Sequence, residues 1–167
     1  MENFTAIWNI YESSFPEDEK RSLNLQLEIL KNPNYQMKAL EDDGRVLGFI
    51  SFWDIGEYVF IEHFAIDDSF RGRNYGSKFL NTFLNEADKK IVLEVEKPED
   101  NITKRRISFY QRLDFKLNAY DYTQPPLEEG KNAIPLLLMT YPEAMDQEQF
   151  NKVKEALYRV VYSNEIK

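Results

Sequence analysis

The chain has 167 residues, a length that fits one domain with a single buried core. It contains no cysteine, which excludes disulfides and thiolate chemistry, and its net charge of −8 disfavours nucleic acid or anionic membranes as partners. Because neither a signal peptide nor an apolar run of the roughly 20 residues that cross a bilayer is recognisable, we expect a cytoplasmic protein.

Two helices are expected at the start of the chain. Apolar residues recur at helical spacing over residues 4–15, and Pro16 ends this pattern. Residues 23–30 fit either a strand or a helix, but their Gln, Glu, Leu and Lys content favours a helix that Asn32 and Pro33 would end.

Three strands are predicted next, over residues 35–40, 46–53 and 58–66. The turn residues Asp42-Asp43-Gly44 and a short linker at Gly56 separate them. Adjacent strands with such tight connections form an antiparallel meander.

A crossover to a parallel strand follows the meander. An amphipathic stripe over residues 75–87 predicts a helix, and the β-branched run at residues 91–96 predicts a strand. A strand, helix and strand in this order normally pair in parallel. The next predicted helix has Thr103 as its N-cap and runs to Leu113.

The last predicted elements are two strands and a helix. The strands cover residues 115–122 and 134–141, and an apolar stripe from Phe150 to Val161 predicts the helix. We assign residues 1–141 to one domain and residues 142–167 to a helical extension packed on it. The stripe either covers the domain or forms a dimer seam, so a monomer and a homodimer both fit.

The segment Arg71-Gly72-Arg73-Asn74-Tyr75-Gly76-Ser77 is the most informative stretch for function. It connects a hydrophobic strand to an amphipathic helix, so several backbone N–H groups and the positive end of the helix dipole converge there. This arrangement indicates a phosphate-bearing ligand, although an ordinary charged turn would have a similar sequence.

With this loop followed by a strand and then the sequence Phe-Tyr-Gln-Arg-Leu-Asp-Phe at residues 109–115, the chain resembles the GNAT superfamily of acyl-CoA-dependent N-acyltransferases. Arg71, Asn74 and Gly76 occupy the family's phosphate-loop pattern. The resemblance covers roughly residues 1–141 and implies an α/β fold, a mixed sheet of six or seven strands flanked by helices, with the C-terminal helix added.

Two positions depart from the family pattern. Asn74 and Asp114 stand where the family usually has glycine. Asn and Asp are the non-glycine residues that most readily adopt positive φ, so we expect both to take that conformation.

The resemblance implies transfer of an acetyl group from acetyl-CoA to the primary amine of a small molecule or peptide. The pyrophosphate of coenzyme A would bind to backbone N–H groups of residues 73–77, with charge from Arg71 or Arg73. The pantetheine arm would pair with the backbone of an edge that the family splays open. The expected cofactor-binding residues are Phe64, Ala65, Ile66, Arg71, Gly72, Arg73, Asn74, Tyr75, Gly76, Ser77 and Phe109.

Tyr110 is the expected general acid, because the matching tyrosine of the family is commonly assigned to protonate the departing thiolate. A core aromatic residue is the alternative. Glu62 is the expected general base, since apolar neighbours would raise the pKa of its carboxylate. A structural carboxylate, with a water chain as the base, is the alternative. Strand alternation would put Glu62 on one face with Phe60, Phe64 and Ile66.

His63, the only histidine, would then lie on the opposite face as a packed or hydrogen-bonded residue. With one histidine and no cysteine, no metal site is expected. Glu94 and Glu96 alternate on the next strand, where they either bind the acceptor amine or face solvent. A non-catalytic acyl-CoA sensor is the alternative to an enzyme.

Overall fold

The structure, a computed structural model, describes residues 1–163. Its five α-helices are α1 (Phe4–Ser14), α2 (Leu23–Ile29), α3 (Tyr75–Glu86), α4 (Asn101–Gln111) and α5 (Gln147–Ala156). Its six strands are β1 (Tyr35–Asp42), β2 (Arg45–Asp54), β3 (Tyr58–Ile66), β4 (Lys90–Glu96), β5 (Lys116–Gln124) and β6 (Ile134–Tyr141). Short 3-10 turns cover Glu17–Glu19 and Asp68–Phe70, and a π-helical turn covers Leu157–Tyr162.

The described strands form one mixed sheet in the order β1-β2-β3-β4-β6-β5. β1, β2 and β3 make the antiparallel meander that their tight turns predict. The α3 crossover makes β3 and β4 parallel, as predicted, while β6 is antiparallel to both β4 and β5. The mixed six-stranded sheet with flanking helices is therefore confirmed.

Helices cover both faces of the sheet, because alternate side chains of the central strands are apolar on each side. On one face, α1, α2 and α5 pack around the fully buried Trp53 and Phe60; we call this the α1/α5 core. On the other face, α3 and α4 pack on Leu93 and Met139; we call this the α3/α4 core. No helix within residues 1–163 is long and apolar enough to cross a membrane.

The N-cap of α4 corrects the prediction. Asp100, not Thr103, caps this helix: its side chain accepts a hydrogen bond from the Thr103 N–H at 2.8 Å. The Thr103 hydroxyl accepts a bond from the Asp100 backbone N–H, which completes a capping box. Thr103 resembles an N-cap in sequence because both partners of the box are polar. The segment at 23–30, which fitted two structures, is the helix α2.

The C-terminal segment packs on the sheet of its own chain. Phe150 and Val153 of α5 lie in the α1/α5 core, and Leu157 and Val161 of the π-helical turn follow them there. Hydrogen bonds of a π-helix span one residue more than those of an α-helix, and in this wider turn Tyr162 is also directed into the core. Residues 164–167 of the expected extension lie outside the described part.

Candidate active site

The centre of the sheet opens into a cleft where β3 and β4 separate. Their parallel pairing stops at Ile61 and Leu93, so the rest of β3 pairs only with β2. The gap belongs to a cleft of about 590 Å³ that runs from the first 3-10 turn to the start of α3. Backbone groups of Phe64, Ala65 and Ile66 on the β4 side of β3 therefore face the cleft without a strand partner.

One end of the cleft is built from main chain. Asn74 has φ 63° and ψ 13°, and α3 begins directly after it. Gly72 also has positive φ, 78°. The first bond inside the helix runs from the Lys78 N–H to the Asn74 carbonyl, which leaves the preceding N–H groups, at residues 75–77, without helical partners. The predicted positive φ of Asn74 is confirmed, and the loop has the geometry of an anion site.

The two arginines of the loop differ in position. Arg71 is bound to its own loop, since its Nε donates to the Ile66 carbonyl at 3.1 Å and its guanidinium pairs with Asp68 at 2.5 Å. Arg73 is exposed, forms no ion pair with any residue in the described range 1–163, and is absent from the cleft lining. Arg73 therefore supplies exposed positive charge near the loop.

The two sequence motifs meet in space. A Cβ on Gly76 would lie 3.5 Å from Cζ of Phe109, so the start of α3 packs on the end of α4. Asp114, with φ 70°, ends the α4 region in the left-handed conformation expected for it. Phe109 and Tyr110 consequently line the cleft beside the loop.

Tyr110 reaches the cleft from the α3/α4 face of the sheet. Its ring packs against Phe115 at 5.6 Å between centroids, while its hydroxyl makes no hydrogen bond to any of the residues described. Burial raises the pKa of Tyr110 to about 12. The phenol is therefore protonated at neutral pH and has its O–H available to a ligand.

A β-bulge changes the expected direction of the side chains on β3. Ser51 pairs with His63 and the next residue, Phe52, pairs with Ile61, which leaves Glu62 as an extra residue. Glu62 and His63 therefore both turn to the α1/α5 face, where Nδ1 of His63 lies 3.9 Å from Oε1 of Glu62. The prediction that they occupy opposite faces is wrong.

The bulge also separates Glu62 from Phe64, which packs in the α3/α4 core. The predicted face shared by Phe60, Glu62, Phe64 and Ile66 is therefore broken after Glu62. His63 is packed and hydrogen-bonded as expected: its Nε2 lies 2.8 Å from the Glu19 carbonyl, and its ring contacts Phe15 at 4.7 Å between centroids.

Glu62 is held in a buried ion pair. Arg21 is 1% exposed, and its guanidinium donates hydrogen bonds to both carboxylate oxygens of Glu62, at 2.9 and 2.5 Å. The Trp53 indole N–H donates to one of these oxygens at 2.9 Å. Burial alone would raise the pKa of Glu62, but the Arg21 guanidinium, with His63 and these hydrogen bonds, brings it below its ordinary value. This corrects the expectation of a raised pKa, which considered only the apolar neighbours of the strand.

Glu94 lies at the other end of the cleft, on the α1/α5 face. The Tyr162 hydroxyl donates to its two carboxylate oxygens at 2.7 and 2.8 Å, and the Tyr122 hydroxyl donates to one of them. Burial raises the pKa of Glu94 to about 8, against the lowering effect of these two hydrogen bonds. Nearby carboxylates of Glu62 and Glu19 also raise this pKa.

Two more carboxylates line the same end of the cleft. Burial, with the charge of Glu96, raises the pKa of Glu19 to about 7. Glu96 pairs with Arg106 at 2.6 Å, in a bridge that is about half exposed. Within residues 1–163, no group of three or more acidic or histidine residues is arranged to hold a metal ion.

No pattern in the sequence indicates that several of these residues belong to the site. Glu19 sits in a charged turn, Arg21 follows it, and Tyr162 lies one residue past the apolar stripe that predicts the last helix. Tyr122 alone had a usable signal, because it alternates with Tyr120 and Gln124 on one strand. The expected residues Glu62, Glu94, Glu96 and Tyr110 do line one cleft.

The family of the chain follows from comparison with known proteins. Residues 4–115 match the acetyltransferase (GNAT) family. The chain therefore belongs to the GNAT family and is an acetyltransferase. No curated protein sequence matches it.

Solved structures of the family share the fold. A Bacteroides thetaiotaomicron protein assigned to the GNAT acetyltransferases is 34% identical, with a TM-score of 0.90 over 96% of this chain and 92% of that one. A Bacillus subtilis acetyltransferase in complex with CoA is 15% identical, with a TM-score of 0.60 over 84% and 93% of the two chains. The Escherichia coli ribosomal-protein-S18-alanine N-acetyltransferase is 16% identical, with a TM-score of 0.60 over 84% and 88%.

Proposed function

We propose that the protein transfers the acetyl group of acetyl-CoA to a primary amine by direct attack in the cleft between β3 and β4. The observation that carries this proposal is the gap after Ile61 and Leu93, with an anion site at one end and carboxylates at the other. A thioester in this gap would have the phenol of Tyr110 on one face of the sheet and the carboxylate of Glu94 on the other.

Coenzyme A would be bound mainly by backbone. The N–H groups at the start of α3 suit its pyrophosphate, and Arg73 adds positive charge beside them. The backbone groups of residues 64–66 that have no strand partner on the β4 side suit the amides of the pantetheine arm, which would add to the sheet as a further strand does. The Ile66 carbonyl already accepts a hydrogen bond from Nε of Arg71. Phe109 would pack beside this arm, since it already lies against Gly76.

Tyr110 is the proposed general acid. Attack of the neutral amine forms the C–N bond and breaks the C–S bond. The sulfur leaves as a thiolate that takes the proton of Tyr110, and the proton that the acylated nitrogen must lose restores the phenol. The Tyr110 O–H is available because no residue in the range 1–163 accepts it. A phenol whose pKa is about 12 stays protonated until the thiolate develops.

Glu94 replaces Glu62 as the proposed general base. Glu62 is a poor proton acceptor because Arg21 and Trp53 occupy its oxygens and its pKa is lowered. Glu94 forms no ion pair with a cation among residues 1–163 and has a pKa of about 8, which is close to the value that favours proton removal from an amine near neutral pH. Glu62 is then a structural partner of Arg21.

The acceptor is proposed to be a cationic amine of a small molecule or a peptide. Glu19, Glu94 and Glu96 give this end of the cleft an acidic surface, and only Glu96 of the three is seen to pair with a cation in the described part of the chain. Glu19 and Glu94, with pKa values of about 7 and 8, are only partly charged near neutral pH, and a bound ammonium group would favour their charged forms, whereas a negatively charged acceptor would be repelled.

Two measurements test this function. Isothermal calorimetry should detect binding of acetyl-CoA, and thiol release should appear with at least one amine in a panel containing a polyamine, an aminoglycoside and a peptide with N-terminal alanine. Binding without release for any amine would favour the acyl-CoA sensor. Absence of binding would contradict both functions.

The Tyr110→Phe variant tests the acid. We expect thiol release to fall about a hundredfold while the dissociation constant of acetyl-CoA stays the same, because only the proton donor is removed. Tyr120→Phe is the matched control: its hydroxyl donates to the Met145 carbonyl at 3.2 Å, away from the cleft. Equal rates for Tyr110→Phe and the parent would refute the acid role.

A further inference from the structure

The carboxylate of Glu94 is held by two tyrosines from other parts of the chain. Tyr122 belongs to β5, and Tyr162 belongs to the π-helical turn near the C-terminus. Tyr162 is 1% exposed and Tyr122 is 2% exposed, so both phenol rings are packed in the α1/α5 core. Their hydroxyls therefore have little freedom to leave Glu94.

Three further residues hold the π-helical turn in place. Leu157 and Val161 are fully buried, and the Tyr158 hydroxyl donates to the Thr123 carbonyl at 2.5 Å. Thr123 directly follows Tyr122 on β5, so this hydrogen bond connects the turn to the strand that carries Tyr122. If α5 continued as an α-helix, which advances about 100° per residue, the side chain of residue 162 would point in another direction. π-turns also often occur at functional sites.

We propose that Tyr162, together with Tyr122, is a positioning residue of the acetyl transfer reaction, which holds the carboxylate of Glu94 in place to accept the proton of the acceptor amine. This inference rests on the proposed function. The π-helical turn, distant in sequence from both family motifs, is then part of the active site.

Glu94 accepts one proton from the acceptor ammonium, and both phenols keep their own protons while donating hydrogen bonds to the carboxylate. When Glu94 is protonated, one oxygen still accepts from a phenol, and the proton returns to water after the product leaves. No oxidant, metal or further reactant is needed.

The groups that face Glu94 come from several elements. They are Tyr122 from β5, Tyr158 and Tyr162 from the π-helical turn, Glu62 from β3 and Glu19 from the first 3-10 turn. The acids raise the pKa of Glu94, while the two hydrogen bonds from Tyr122 and Tyr162 lower it. Removing one phenol hydroxyl therefore raises the pKa of Glu94 further, so its charged form appears only at higher pH.

The test is a titration of Glu94 that needs no acceptor. In protein carrying ¹³C at the glutamate carboxyl carbons, the Glu94 signal is the one missing from the Glu94→Gln variant. We expect its midpoint, about 8 in the parent, to move upward by about one pH unit in Tyr162→Phe and in Tyr122→Phe. Tyr120→Phe is the control from the same strand as Tyr122: its hydroxyl donates to the Met145 carbonyl at 3.2 Å, away from Glu94, so the Glu94 midpoint should stay that of the parent.

Activity is measured on the same variants, with the amine that gives the fastest thiol release. Tyr162→Phe should lower kcat/KM about tenfold at pH 7 and move the acidic limb of its pH profile upward. An unmoved Glu94 midpoint in both Tyr162→Phe and Tyr122→Phe overturns the positioning role alone. Parent-like thiol release by Glu94→Gln would instead overturn the proposed base, and the positioning role with it.

Discussion

The two ends of the cleft are built in opposite ways. The proposed anion site at residues 71–77 is one continuous segment, and the groups proposed to bind the anion are main-chain N–H groups at the start of α3. The proposed acceptor end combines carboxylates and phenols from a 3-10 turn, β4, β5 and the π-helical turn. The first end depends on backbone conformation and tolerates many side chains, whereas the second depends on side chains that only the tertiary fold brings together.

The largest expected effect is at the acceptor end. We expect Glu94→Gln to lower kcat by about a hundredfold to ten-thousandfold, because an amide cannot accept the ammonium proton. Acetyl-CoA affinity, measured by calorimetry, should stay the same, since the anion site lies at the other end of the cleft.

Glu96→Gln is the comparison for this variant. Glu96 lies two residues further on β4 and is already paired with Arg106. We expect it to raise the acceptor KM a few fold with little loss of kcat. If kcat falls equally in both variants, Glu94 and Glu96 do not have the separate roles of general base and acceptor-binding group.

The difference between the two ends of the cleft also explains which features could be predicted from the sequence. The loop at 71–77 and the Phe-Tyr pair at 109–110 are local patterns, so the family could be predicted from them, and tight turns likewise predicted the antiparallel meander; the position of β6 between β4 and β5 was not predicted. Asn74 and Asp114 adopt the positive φ that their side chains permit. Each of these features depends on residues within a few positions of each other.

The acceptor end could not be predicted in the same way. The β-bulge at Glu62 does not interrupt the apolar pattern of β3, yet it turns Glu62 and His63 to one face. Arg21 pairs with Glu62 across 41 residues of sequence, and Tyr162 reaches Glu94 across 68. Neither the bulge nor the π-helical turn has a sequence signature that periodicity can detect.

The second prediction concerns the buried pair that supports the acceptor end. Arg21→Ala should lower the free energy of unfolding by about 3–5 kcal/mol, because it leaves the charge of Glu62 buried without its partner. Urea unfolding followed by circular dichroism measures this change.

Arg106→Ala is the matched control, since its pair with Glu96 is about half exposed. Its expected cost is at most about 1 kcal/mol. Similar losses in the two variants would mean that Arg21 and Glu62 are more hydrated than their burial indicates.

A smaller effect is expected at the anion site. Gly72 has φ 78°, and a Cβ at this position would have no other atom within 4 Å, so Gly72→Ala meets only the backbone penalty of the left-handed region. That penalty is about 1–2 kcal/mol, which should weaken acetyl-CoA binding up to about tenfold by disordering the loop. Gly130→Ala carries the same penalty at φ 89° outside the cleft, and its acetyl-CoA affinity should not change.

The smallest effect is expected for Asn74→Gly. Asn74 already has φ 63°, so glycine relieves little strain, and the N–H groups at the start of α3 keep their directions. Calorimetry should give a dissociation constant for acetyl-CoA within about twofold of the parent, while the added chain entropy of glycine lowers the unfolding free energy by about 0.5–1 kcal/mol. Clearly tighter binding would show that Asn74 is strained in the free loop, and that side-chain identity matters at this end as well.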